Sequence, residues 1–192
     1  MSDRLVIGLS AWIIQDGNYG DFSRSDRAAF ALEFCPSATL SDGEPQSTPS
    51  LVHVGNALYE AIGRVVHVAD DWWAVDFGTL AFQDAKPPAN VRPSTWVRGE
   101  IFIGIDPFFY FERLAREPDA PALIYDWGIE KIEMQTAPFI EVRPRLRERD
   151  PARLGWTEIA ETDAWKDDGG FADYVLHCRR LDGSPRHALK TI

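Results

Sequence analysis

Residues 59–105 constrain the fold most. They read YEAIGRVVHV, ADDWWAVDFGTLAF, a proline-containing link, and WVRGEIFIGI. These are three apolar runs of strand length, rich in Val, Ile, Phe and Trp and bounded by turn residues. The pattern predicts the central meander of a β domain. Side chains alternate across a strand, so Ile62, Arg64, Val66 and Val68 share one face of the first run and Gly63, Val65 and His67 the other. Asp70 and Asp71 make the hairpin turn, and the return run sets Trp73, Val75 and Phe77 opposite Trp72, Ala74 and Asp76. Both faces are apolar, which places the hairpin inside a barrel or sandwich, with Gly63 and Gly78 at bulges or bends of the closing sheet. In the third run Ile101, Ile103 and Ile105 lie opposite Phe102.

The rest of the chain extends this into an all-β, mainly antiparallel fold. With 192 residues, 45% of them hydrophobic, it can fill one core. Residues 5–14 read as a first strand buried on both faces. AAFALEF, residues 28–34, fits helix or strand, and Pro36 so close behind favours strand. Residues 36–50, rich in Ser, Thr and Pro, read as an exposed loop. Asp106 and Pro107 would open a helix as N-cap and N1, but the following FFYFERLA favours a strand paired with ALIYDWGIEKIEM. We expect a main β domain over residues 1–142, an Arg-rich linker over 143–154, a small C-terminal β-hairpin unit over 155–182 with strands at 156–162 and 171–181, and a frayed tail over 183–192.

In its glycine-kinked hairpin followed by a third long strand, the central meander is similar to five-stranded OB-type barrels. The likeness covers about residues 59–112. No motif of that family is matched, so no binding residue carries over from it.

Thirty acidic against twenty basic residues give a net charge of -10, which repels nucleic-acid backbones and anionic membranes. Nucleic acid is therefore an unexpected partner. No segment reaches the ~20 apolar residues that span a bilayer, and the apolar N-terminal run lacks the cleavage site of a signal peptide, so the expected compartment is the cytoplasm. Cys35 and Cys178 are too few for a disulfide framework and are read as reduced, buried thiols. The four histidines stand at no metal-ligand spacing, and GxSxG, Walker, GxGxxG and HExxH signatures are missing. No cofactor is expected.

Four groups of residues could carry function. Asp16, Asn18 and Asp21 in the turn DGNYGD offer hard oxygen ligands, although Arg27 stands where a calcium loop needs its bidentate Glu. Asp76 and Asp126 are carboxylates among apolar neighbours, a setting that shifts pKa, with Arg64 as a possible anion-orienting partner. Seven tryptophans exceed what such a core needs, which points to Trp72 and Trp73 as a binding surface. Arg143, Arg145, Arg147 and Arg149, spaced by two, would project four guanidinium groups from one face of an extended chain. The combination suggests a non-enzymatic β domain that binds a protein partner or itself. The alternatives are a small hydrolase or lyase using Asp76 and Asp126, and a nucleic-acid module led by the arginine comb.

Overall fold

The computed structural model describes residues 3–44, 48–108, 110–181 and 183–189. In chain order the elements are β1 (Arg4–Ser10), α1 (Ala11–Gln15), β2 (Arg27–Phe30), β3 (Leu32–Pro36), β4 (Ser41–Asp42), β5 (Ser50–Gly55), β6 (Leu58–Val68), β7 (Trp73–Asp76), β8 (Leu80–Gln83), β9 (Trp96–Ile105), β10 (Tyr125–Gln135), β11 (Phe139–Arg143), β12 (Leu146–Arg149), β13 (Trp156–Ile159) and β14 (Asp173–Arg180).

The central meander supplies four strands, because its second run folds back at Gly78, where φ is +93°. Antiparallel pairing runs β8 to β7, β7 to β6, β6 to β9 and β9 to β3. A parallel contact at Glu33 and Phe82 joins β3 to β8 and closes a five-stranded mixed barrel. Phe34 fills its interior, edge-on to Trp73 at 5.0 Å and to Phe77 at 5.3 Å between ring centroids. Gly63 makes room for them: a Cβ there would stand 2.4 Å from the Phe77 ring and 2.5 Å from Val75. The hairpin is apolar on both faces because a second cluster covers the barrel's outside, where Trp72, Ala74 and Phe82 pack against Tyr110, Leu114 and Leu123.

The other strands extend from the barrel. β1 lies between β9 and β14, and β14 lies between β1 and β10. The run over residues 27–36 breaks at Ala31, so that β2 pairs with β10 while β3 pairs with the barrel. Phe30, beside that break, stacks on Trp127 at 5.7 Å, and the Trp127 indole donates to its carbonyl. The small hairpin sheet of the C-terminal third is formed by β11, at the end of the expected main domain, and β12, in the segment expected to be a linker. β13 and β14 each pair with β10.

Three local expectations need correction. The described residues of the FFYFERLA segment form turns with a short 3-10 helix at Leu114–Arg116, not a strand, and position 109 lies outside the described residues. The Asp106 carboxylate accepts the amides of Phe108 and Tyr110 and thereby bends the chain, as local side-chain bonding of Asp often does. The first strand ends at Ser10 and gives way to α1. Cys35 is exposed, because the side chains of β3 alternate and Phe34 takes the inward position, whereas Cys178 is buried. In the C-terminal tail, Arg186 exchanges backbone hydrogen bonds of 2.9 and 3.0 Å with Ile124, and residues 182 and 190–192 lie outside the described ones. Among the described residues no helix is long and apolar enough to cross a membrane.

Candidate functional site

Three neighbouring strands bring Gly8, Gly104 and Glu33 into one row. Gly8 of β1 is paired with Gly104 of β9, which is paired with Glu33 of β3. Residues directly opposed across a sheet share a face, and two of these three carry no side chain. Here lies a trough of 160 Å³ whose lining includes Gly8, Gly104, Phe102, Trp12, Pro107, Glu33 and Cys35. The Phe102 ring lies over the two glycines, so that a Cβ on Gly8 would come within 2.0 Å of it.

Glu33 is the ionisable group of interest in this trough. Burial raises its carboxyl to about 7, the Asp84 amide offsets part of that, and the negative charges of Asp106 and Asp84 add to it. Asp106 is raised to about 6, again chiefly by burial. Asp84 has a cation, since Arg113 donates to both of its oxygens at 2.7 and 2.8 Å. None of the ion pairs among the described residues involves Glu33, and no Lys, Arg or His lines the trough.

Trp12 is also a wall of an adjoining groove of 210 Å³ that reaches Phe139 and Phe171. The aromatics here face water: Trp12 is 46% exposed, Phe108 61% and Phe171 71%. Trp12 and Phe108 lie 5.9 Å apart, and Phe139 meets Phe171 edge-on at 6.3 Å. Trp165, in the segment leading to Phe171, is 69% exposed.

Two larger hollows are chemically quieter. One of 440 Å³ sits between β1, β5, β6 and β14 and holds Arg4, His53, Tyr59, Glu130 and His177. Its polar groups satisfy one another or nearby backbone. Tyr59 accepts from the Val6 amide and donates to the Val6 carbonyl, Arg4 meets Glu130 at 2.8 Å, and His177 meets Glu133 at 2.7 Å. The other, an open depression of 590 Å³, contains Arg64, which donates to Ser94 at 2.9 Å.

The structure corrects the tryptophan reading. Trp72 and Trp73 are not an exposed binding surface: both are fully buried, since one packs inside the barrel and the other under the covering segment. The arginine comb is broken by the turn between β11 and β12, where Arg145 takes φ +66°. Arg149 leaves the comb altogether. It donates to Asp168 and to the carbonyls of Ala137 and Phe171, and lies 4.0 Å over the Phe139 ring, while Arg143, Arg145 and Arg147 stay exposed. Arg64 and Asp76 are cross-strand neighbours on the outer face of the barrel. The Asp76 carboxylate accepts the Gly78 amide, whereas Asp126 is held by Arg186, so the two carboxylates serve separate structural contacts. Asp16 ends α1. Asn18 donates to the Pro107 carbonyl, while Asp21 accepts from Thr162 and the Ala164 amide, so the oxygens of that turn serve different neighbours. No metal-ligand cluster occurs among the described residues.

Glu33, Trp12, Phe102 and Phe108 were not singled out from the sequence. Glu33 sits inside the apolar run AAFALEF, the same signal that pointed to Asp76 and Asp126. No protein-family model, curated protein or solved structure matches this chain.

Proposed function

We propose that this is a non-enzymatic β domain that acts by binding another protein, and that its binding face is the aromatic surface around α1. One observation carries this reading: a half-exposed Trp12 is the common wall of two adjoining grooves, with Phe108 and Phe171 exposed beside them. Exposed aromatic clusters of this kind mark interaction sites, because they offer large apolar area at low entropic cost. The reading is tested by placing a photo-crosslinking amino acid at position 108, 171 or 147 in the full chain in its native cells. Protein adducts, with another protein or with a second copy, are expected at 108 and 171 but not at 147. Equal yields at all three positions, or none at 108 and 171, would reject it.

A second reading has one observation behind it, namely a carboxyl titrating near 7 in a trough, which is the environment of a general acid or base. It moves the hydrolase or lyase alternative from Asp76 and Asp126 to Glu33. Turnover abolished by Glu33→Gln would favour it over binding alone.

A further inference from the structure

We infer that this trough is the receptor for one arginine side chain of the partner protein, its stem lying between the Phe102 ring and the Trp12 indole and its guanidinium reaching Glu33. This rests on the binding reading above and names the chemistry of its central contact.

Shape and charge both point to such an occupant. At ~30 Å³ per water the trough has room for about five waters, which suits the end of one long side chain and is too small for a folded element. Gly8 and Gly104 let the Phe102 ring settle onto the sheet, and that ring and the Trp12 indole supply the aromatic lining of the trough. A planar guanidinium stacks on aromatic faces as well as pairing with carboxylates, which an ammonium does less well. The charges that act on Glu33 are those of Asp106 and Asp84, and the cation beside Asp84, Arg113, is already engaged by Asp71 and Asp84.

The titratable groups facing Glu33 are Asp106 beyond β9, Asp84 beyond β8 and Cys35 on its own strand. Cys35, open to water on one side yet crowded by neighbouring atoms on the other, has its thiol raised by partial desolvation and by the charge of Glu33. Asp84 is engaged by Arg113 through both of its oxygens. Glu33, at about 7, and Asp106, at about 6, therefore gain charge between pH 6 and pH 8. The ionised fraction of a group titrating at about 7 rises about tenfold over that range. Arginine affinity should rise by a similar factor.

The test is calorimetric titration of the full chain with capped Gly-Ser-Arg-Ser-Gly and its citrulline and norleucine counterparts. The arginine peptide should bind at least tenfold tighter than citrulline at pH 8 and about tenfold tighter at pH 8 than at pH 6. Glu33→Gln, which should melt no lower than the parent protein, should lose at least tenfold and flatten the pH dependence. Phe102→Ala should weaken binding without flattening it. Equal affinity for citrulline, or an unchanged Glu33→Gln, would overturn the inference. If crosslinking at positions 108 and 171 persists in Glu33→Gln at full yield while no peptide binds, the partner surface stands and the arginine pocket falls. If crosslinking fails at both positions while the arginine peptide binds as described, the pocket stands and the wider surface falls.

Discussion

Gly8 and Gly104 form the single residue pair joining β1 to β9, and the Phe102 ring occupies the space that a side chain on either would need. A methyl on Gly8 would stand 2.0 Å from the ring's Cζ, but Phe102 is partly exposed and can swing outward. Gly8→Ala should therefore cost only about 1 kcal/mol. Gly63→Ala meets Phe77 and Val75 inside the closed barrel, where neither can leave, and should cost about 3 kcal/mol. Urea unfolding gives both numbers. Gly8→Ala added to Phe102→Ala should cost nothing more, since the clash is then gone; an additive loss would show that the ring does not lie over the glycine.

Trp72 is a structural anchor. Its ring is buried against His67 at 4.3 Å and Tyr110 at 6.2 Å, and its indole donates to the Glu117 carboxylate at 2.7 Å. Trp72→Phe keeps most of the packing but removes the charge-assisted bond, a loss of about 1.5–3 kcal/mol, and Trp72→Ala should lose about 3–5 kcal/mol. Hydrogen exchange should quicken over residues 110–124, whose Tyr110, Leu114, Leu123 and Ile124 share a cluster with that ring. Trp12→Ala, at an exposed site, should stay within ~0.5 kcal/mol of the parent. Equal losses at the two tryptophans would contradict this division.

The two tryptophans show how far the sequence reaches. Strand alternation put Ile101, Ile103 and Ile105 on the face opposite Phe102, and in the fold the isoleucines are buried and Phe102 is exposed, since that alternation depends only on local geometry. It did not reveal which outer face is covered. The cover over Trp72 comes from Tyr110, Leu114, Leu123 and Ile124, and Asp106 turns the chain toward them through bonds to two amides only two and four residues ahead. FFYFERLA has a strand's composition, and the capping carboxylate outweighs it. The site was illegible for a different reason. Gly8, Glu33 and Gly104 are far apart in the chain and meet only through the β1, β9 and β3 pairings, and pairing order is not written in any one strand.

Glu33 makes stability depend on pH in a defined direction. Its carboxyl rises from the ordinary 4.5 to about 7 on folding, chiefly through burial. Below pH 4.5 it is protonated in both states and costs nothing. Between 4.5 and 7 the folded state holds the proton more tightly, and above 7 the folded state carries a buried charge. This contribution to stability is thus full below 4.5 and lost as pH rises through about 7. Because Glu33 is only half-buried, screening leaves about 1–2 kcal/mol of the effect. Glu33→Gln should match the parent near pH 4.5 and exceed it by that amount at pH 8. Thermal melts at the two pH values decide it, and a gap that does not widen would mean the carboxylate is not desolvated.

Arg149 separates a structural arginine from three surface ones. Its side chain is 14% exposed and joins β12 to the segment leading into β14, through Asp168, Asp173 at 3.6 Å and the carbonyls of Ala137 and Phe171. Arg149→Ala leaves those acceptors and the Phe139 face without their cation, which should cost about 2–3 kcal/mol. Arg149→Lys should recover little, because one ammonium cannot serve acceptors on two segments with the fork of a guanidinium. Alanine at Arg143, Arg145 or Arg147 should change stability by less than ~0.5 kcal/mol. Chemical denaturation of the five single variants tests the ranking. A loss at Arg147 as large as that at Arg149 would mean that the hairpin is held by its row of charges. The ranking expected here would mean that a single guanidinium fixes the wall of the groove containing Phe139 and Phe171.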